Sequence, residues 1–260
     1  MEEKDQVFNH YVKLQIDSGL KPLEPVFYPI VPVDGVEAIA FRASTKINSI
    51  IMGVMKQEDY TPVSDNRLCG TELFKHNIQH AIASLKEFDK AHKRCDFIAV
   101  RCPAQLIEKC ALYDLVKEVL QKNPSIDPSR ICVEFTENLL EIDAEKAKYA
   151  VLDMKILKLR TALVGVGRED TKISKLVSVP VDLAIIDKEA TKWAGDRNKP
   201  QLFNSLLSYI KAMGVNSIAE GKEEQRKELH YSEAVGFMFE GTDPISLEAA
   251  ISVAEEADDQ

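Results

Sequence analysis

The stretch "DFIAVRCPAQLIEKCALYDLVKEVLQKNPSIDPSRICVEFT", residues 96–136, decides the fold. It opens on a short apolar run, "DFIAVRC" (96–102), and passes into "AQLIEKCALYDLVKEVLQK" (104–122). There the apolar residues recur at three- and four-residue steps, the period of a helix with one buried face. The turn "NPSIDPS" follows, and "RICVEFT" (130–136) is a second short apolar run. Strand, helix, turn and strand in that order predict a βαβ unit. Both strands are continuously apolar rather than alternating, as in a parallel sheet covered by helices on both faces.

The same unit recurs on either side. "VFYPIVPV" (26–33) and "GVEAIAFRA" (35–43) are predicted strands, and "TELFKHNIQHAIASLKEFDKAH" (71–92) is a predicted helix. Further on come the helix 144–158, the strand "TALVGVG" (161–167), the strand "VDLAIID" (181–187) and the helix 200–214, ending at Gly214. The strand 215–221, a short helix "EEQRKELHYS", the strand "AVGFMFEG" and a last helix "PISLEAAISVAEEA" complete the chain. Repeated strand–helix units over 260 residues predict an α/β fold, a TIM-like βα barrel, with an open doubly wound sheet as the structural alternative. Residues 1–24 are set apart as an N-terminal helical extension, with a helix over 4–19. Residues 25–260 form the single barrel domain, in which 44–70 is the least regular segment and is expected to be an elaborated loop.

Apolar residues make up 45% and charged residues 29%, so the chain can bury a large core. The formal net charge of −9 gives it no electrostatic reason to hold a phosphate backbone, which disfavours nucleic acid. Five cysteines without a C-x-x-C pair argue against a disulfide framework or a zinc knuckle. The charged start "MEEKDQ" and the lack of any 18-residue apolar segment predict a cytoplasmic chain that does not enter a membrane.

In a βα barrel the reactive face lies at the C-terminal ends of the strands. The polar groups placed there are Glu37, Arg101, Glu134 with Thr136 and Glu137, Asp187, and Glu220 with Glu223 in "SIAEGKEE". Converging acids suit a hard divalent cation; each acid alone suits equally well the solvent or the cap of the next helix. His76 and His80, one helical turn apart, lack the glutamate of H-E-x-x-H and fit a solvated helix face. "VGVG" (164–167) fits a tight turn.

From about residue 25 onward the order of these segments resembles the EAL domain, the bacterial barrel that hydrolyses cyclic di-GMP. "GVEAIAFR" is similar to its E-A-L strand and "FIAVRCPAQL" to its V-N-L-S strand. "VEFTEN" is similar to its E-x-T-E segment, "ALVGVGRED" to its D-D-F-G loop and "VPVDLAIID" to the strand ending K-I-D. "SIAEGKEE" is similar to A-E-G-V-E, and "AVGFMFEGTDPIS" to the Q-G-Y ending. By that resemblance Glu37 and Glu134 are metal-binding positions and Glu137 holds the metal-site loop. Asp187 is the K-I-D aspartate, Glu220 stands at the general-base position, and Glu223 belongs to the same loop.

Other matched positions have changed. Arg101 stands for a metal-binding asparagine, Val164 and Gly165 for paired metal-binding aspartates, and Ile185 for the catalytic lysine. Val235 stands for a glutamine, and Phe41 for the arginine that contacts substrate phosphate; Arg42 is one residue late, which on a strand means the opposite face. Valine, glycine and isoleucine offer no side-chain oxygen, and arginine brings a fixed charge to a cation's place. The expectation is therefore an EAL-type barrel without catalytic residues, metal or cofactor, a degenerate cyclic di-GMP phosphodiesterase acting as a regulatory or protein-binding module. The alternatives are a receptor that binds cyclic di-GMP without hydrolysis and a weak phosphodiesterase. Arg101 is expected in the vacated cation site, paired with Glu134, Glu37 or both. The partner is an unidentified protein, and the resemblance also makes a homodimer plausible, with Trp193 suited to a contact surface.

Overall fold

The computed structural model describes residues 23–49, 53–64, 68–136, 143–168, 173–196, 200–229 and 234–257. The predicted helix 4–19 lies outside the described residues, and the first strand opens at Leu23, two residues before the predicted start of the barrel. The strands are β1 (Leu23–Val31), β2 (Ala40–Ser49), β3 (Gly53–Met55), β4 (Ile98–Arg101), β5 (Ile131–Phe135), β6 (Arg160–Val166), β7 (Leu183–Ile186), β8 (Asn216–Gly221) and β9 (Gly236–Phe239).

Their hydrogen-bonded order is β1-β9-β8-β7-β6-β5-β4-β2-β3, and β1 also pairs with β2, which closes eight strands into a barrel with β3 hanging from β2. β1 runs antiparallel to both neighbours. The rest of the wall is parallel. The barrel is thus the observed form of the predicted α/β fold, and the open sheet is ruled out by the β1–β2 closure.

Two local expectations need correction. The segment 44–70 is not a loop throughout: β2 continues through Ser49, returns as β3 and leads into the helix Gln57–Ser64. The polar run Ser44, Thr45 and Lys46, with Asn48 and Ser49 beyond it, hides this strand from an apolar-run criterion. It is held by a small cluster of Leu23, Ile47, Met55, Tyr60, Cys69 and Leu73, and by the Tyr60 hydroxyl, which donates to the Thr45 carbonyl at 2.8 Å. The helix 104–122 is also broken, into Ala104–Glu108 and Leu112–Gln121, with Cys110 between them at φ 52. A left-handed residue cannot continue a right-handed helix.

The core has two layers because successive strand residues point to opposite faces. Facing inward are small and medium residues such as Ala40, Ala99, Cys132, Ala162, Ile185 and Ile218, which fill the barrel. Facing outward is the larger cluster beneath the helices, with Phe27, Phe41, Phe88, Phe135, Phe203 and Phe237 fully buried. Cys69, Cys95, Cys102 and Cys132 are buried and unbridged, and Cys110 is exposed. Trp193, suggested as a contact surface, packs partly buried against the outer cluster. No helix of the described residues is long and apolar enough to cross a membrane.

Candidate site at the barrel mouth

The mouth is set by strand phase. On β5, Ile131, Val133 and Phe135 join the outer cluster while Cys132 points into the barrel. Glu134 shares the face of Cys132, and its carboxylate emerges at the C-terminal end with 2% of its side chain exposed. A carboxylate this dry requires a charged partner and hydrogen bonds.

Arg42 supplies both. Its Nε donates to Glu134 Oε1 at 2.9 Å and to Oε2 at 2.8 Å. One N–H is thus shared between the two carboxylate oxygens. The Arg42 side chain is 15% exposed, and its Nη2 is buried without a hydrogen-bond partner among the described residues. Burial alone would lower its pKa. The charges of Glu134 and Glu220, together with the Glu134 hydrogen bonds, outweigh burial and hold the pKa above its ordinary value.

The phase of β2 makes this pair possible. Phe41 faces outward, its ring 5.1 Å from that of Phe88 and 6.3 Å from that of Phe27. Arg42 must then face inward. The predicted face of this strand is therefore reversed: Phe41 does not address the mouth, and Arg42 does. Glu37 is removed by its place ahead of β2. The Asp96 amide donates to the Ile39 carbonyl, just ahead of the start of β4, so Glu37 lies beyond the N-terminal end of the strands. It is exposed and is not brought to Glu134. Among the described residues the ion pair of Glu134 is with Arg42, and Arg101 lines the same cavity.

A cavity of ≈ 390 Å³ opens here. Its lining includes Arg42, Lys56, Arg101, Glu134, Thr136, Val164, Glu220 and Met238. Glu134 and Glu220 are the two carboxylates in the described lining, against three cationic side chains. Burial pushes the Glu220 carboxyl up from its ordinary value; Arg42 pulls it back down, and Glu134 and Asp187 add to the rise. Val164 lines the cavity and Ile185 packs inside the barrel below it. Gly165 sits at φ 82 between Val164 and Val166, where the β6–β7 register shifts.

The remaining described positions do not line the cavity, although the charge of Asp187 reaches Glu220. Asp187 caps the helix Lys188–Thr191, accepting the Glu189 amide at 2.9 Å. Glu223 opens the helix Glu223–Glu228, exposed, with Arg226 Nη1 at 3.4 Å. Val235 precedes β9 and is 50% exposed, away from the mouth. Glu137 lies outside the described residues. Arg42 and Lys56 line this cavity without being among the rim groups that the sequence suggests. Arg42 could have been found by asking which phase of "AFRAS" keeps phenylalanine under a helix.

The fit of a divalent ion is poor on these observations. Both oxygens of Glu134 are taken by a guanidinium, and Glu220 is shifted toward its neutral form. The neighbouring Val164 and Ile185 have no donor atom in their side chains.

A closed βα barrel with its polar groups gathered at the C-terminal strand ends belongs to the large class of barrels that place their sites there. Within that class the chain is a member of the EAL domain family, whose model matches residues 13–239.

Among solved structures it is similar to the PaMucR phosphodiesterase in complex with c-di-GMP, at TM-score 0.79 and 17% identity over 92% of this chain and 98% of that one. The FimX EAL domain from Pseudomonas aeruginosa bound to c-di-GMP matches at TM-score 0.77 and 11% identity, covering 91% of this chain and 96% of that one. At these identities the likeness is one of fold. An uncharacterised protein of Mycobacterium tuberculosis is 20% identical over 218 residues, covering 82% of this chain and 35% of the relative. An uncharacterised signalling protein of Caulobacter vibrioides is 24% identical over 202 residues, covering 77% of this chain and 24% of the relative. The chain thus spans about a third or less of the length of these curated relatives.

Proposed function

We propose that this EAL domain does not hydrolyse cyclic di-GMP and works as a regulatory or protein-binding module in bacterial signalling. The observation that supports this best is the Arg42–Glu134 pair, with Nε 2.8 Å from Oε2. Phosphodiester hydrolysis assisted by two metal ions needs oxygen donors free to hold those ions against water and the leaving oxygen. Here the most buried acid of the mouth is committed to a guanidinium, and Val164 and Ile185 offer hydrocarbon where the family motif has an aspartate and a lysine. A module of this kind acts through its outer surface on a protein partner.

A second reading has its own support. Arg42, Lys56 and Arg101 share one cavity, and two structurally similar EAL domains hold c-di-GMP. A doubly anionic dinucleotide bound without hydrolysis is consistent with that lining.

The test is incubation of the protein with cyclic di-GMP and magnesium or manganese, followed by chromatography, together with calorimetric titration of the same dinucleotide. No linear product and no heat support the protein-binding module. Heat without product favours the receptor. Appearance of pGpG refutes the inactive reading.

A further inference from the structure

We infer that the Arg42 guanidinium is a built-in cation for the mouth, neutralising its acids in the place of a divalent ion, so that the barrel neither needs nor takes such an ion there. The inference deepens the reading of the domain as inactive and rests on the same cavity.

Three observations lead to it. First, Glu134 is almost wholly buried, and both its oxygens lie within hydrogen-bond distance of the single Arg42 Nε. That is the bidentate attachment a carboxylate offers a metal, given instead to an N–H. Second, the influence of Arg42 extends beyond that one acid. Its charge also draws down the carboxyl of Glu220, the second acid of the cavity lining, so one side chain serves both. Third, the position is dry. A dication entering it would meet a fixed positive charge a few ångströms away, where repulsion is poorly screened. It would also have to displace the guanidinium from Glu134. Arg101 lines the same cavity, as does Lys56, which is paired with Asp243 at 2.5 Å.

A plain core ion pair and a replacement for a metal make different predictions once the arginine is removed. In the first case the protein loses stability and divalent ions are irrelevant. In the second the acids are left needing a cation, and a metal can supply it.

The experiment measures Tm of the full chain with EDTA and with magnesium or manganese, for wild type, Arg42→Ala and the double variant Arg42→Gln/Glu134→Gln. The inference expects no response to metal in wild type. It expects a lower Tm for Arg42→Ala in EDTA, with several degrees regained on adding metal, and no metal response in the double variant. A rise of wild-type Tm with metal, or an Arg42→Ala variant indifferent to it, overturns the inference. If Arg42→Ala does not fold, a folded double variant supports stranded acids as the cause, and an unfolded one overturns the inference. Turnover of cyclic di-GMP would sink the inactive reading, whereas a wild-type Tm response to metal would sink this inference alone.

Discussion

The ring of Phe41 lies 5.1 Å from that of Phe88, tilted by 33°, and this contact fixes which face of β2 looks into the barrel. Phe41 is fully buried between the strand and the helix Leu68–Lys90. Arginine installed here to recreate the family's phosphate contact would point away from the mouth, with its charge in an apolar layer. Phe41→Ala is expected to destabilise by about 3–5 kcal/mol from lost contacts and the cavity left behind. Phe41→Arg is expected to be worse than Phe41→Ala and to recover no dinucleotide binding. Urea denaturation of both variants checks this; an Arg variant at least as stable as the Ala variant contradicts the assigned strand face.

Much of the fold could be read along the chain because parallel strands buried on both faces are conspicuous. "FIAV", "ICVEF" and "LAII" stand out as apolar runs, and each is a strand of the barrel. β2 is hard to place for the opposite reason. Its C-terminal half, "STKINS", is polar, so an apolar run ends before the strand does and leaves the inward phase open. A slip of one residue exchanges every side chain between faces. Phase alone turns Arg42 toward the mouth, while Glu37 is kept from it by lying ahead of the strand's first residue, Ala40. Glu134, Val164 and Glu220 all line the mouth, on strands whose short apolar runs leave little choice of phase. Asp187 and Glu223 both sit at helix starts, where a carboxylate also has a structural role, and the charge of Asp187 still reaches Glu220.

Gly167 is a second point of backbone control. It has φ +92, and a Cβ built there would sit 2.7 Å from Ala190 Cβ, on the helix that follows β7. Replacement by alanine combines a disfavoured left-handed backbone with a clash against a side chain that has no rotamer to escape into. Gly167→Ala is expected to destabilise by on the order of 2–4 kcal/mol, read as a lowered urea midpoint at unchanged slope. A midpoint equal to wild type would show that the turn between β6 and β7 is not held as described.

Glu220 has a pKa raised by burial, with Arg42 offsetting part of the rise. The folded chain therefore binds this proton more tightly than the unfolded chain, whose value lies near 4.5. The stability it contributes is fully present below 4.5 and is lost as pH rises through the folded value. Glu220→Gln should accordingly be more stable than wild type at pH 7, with Tm higher by on the order of 2 °C, and the difference should close at pH 4. A variant less stable than wild type at pH 7 would mean that attraction to Arg42 dominates over desolvation.

His76 responds in the other direction. It stands one helical turn from His80, with ring centroids 4.2 Å apart. Burial first, and the neighbouring His80 second, lower its pKa to about 4. Its Nε2 is buried without a hydrogen-bond partner among the described residues. The folded chain thus holds this imidazole neutral, while the unfolded chain protonates it near 6.5. The stability gained from keeping it neutral is complete above pH 6.5 and declines as pH falls toward 4. His80, also lowered by burial, adds to the same trend. Wild type should therefore lose Tm between pH 7 and pH 5, and His76→Leu should lose less over the same interval, since it has no proton to take up and no orphaned ring nitrogen to bury. Melting curves across that interval decide the matter: parallel losses in the two proteins would assign the acid sensitivity to groups other than His76.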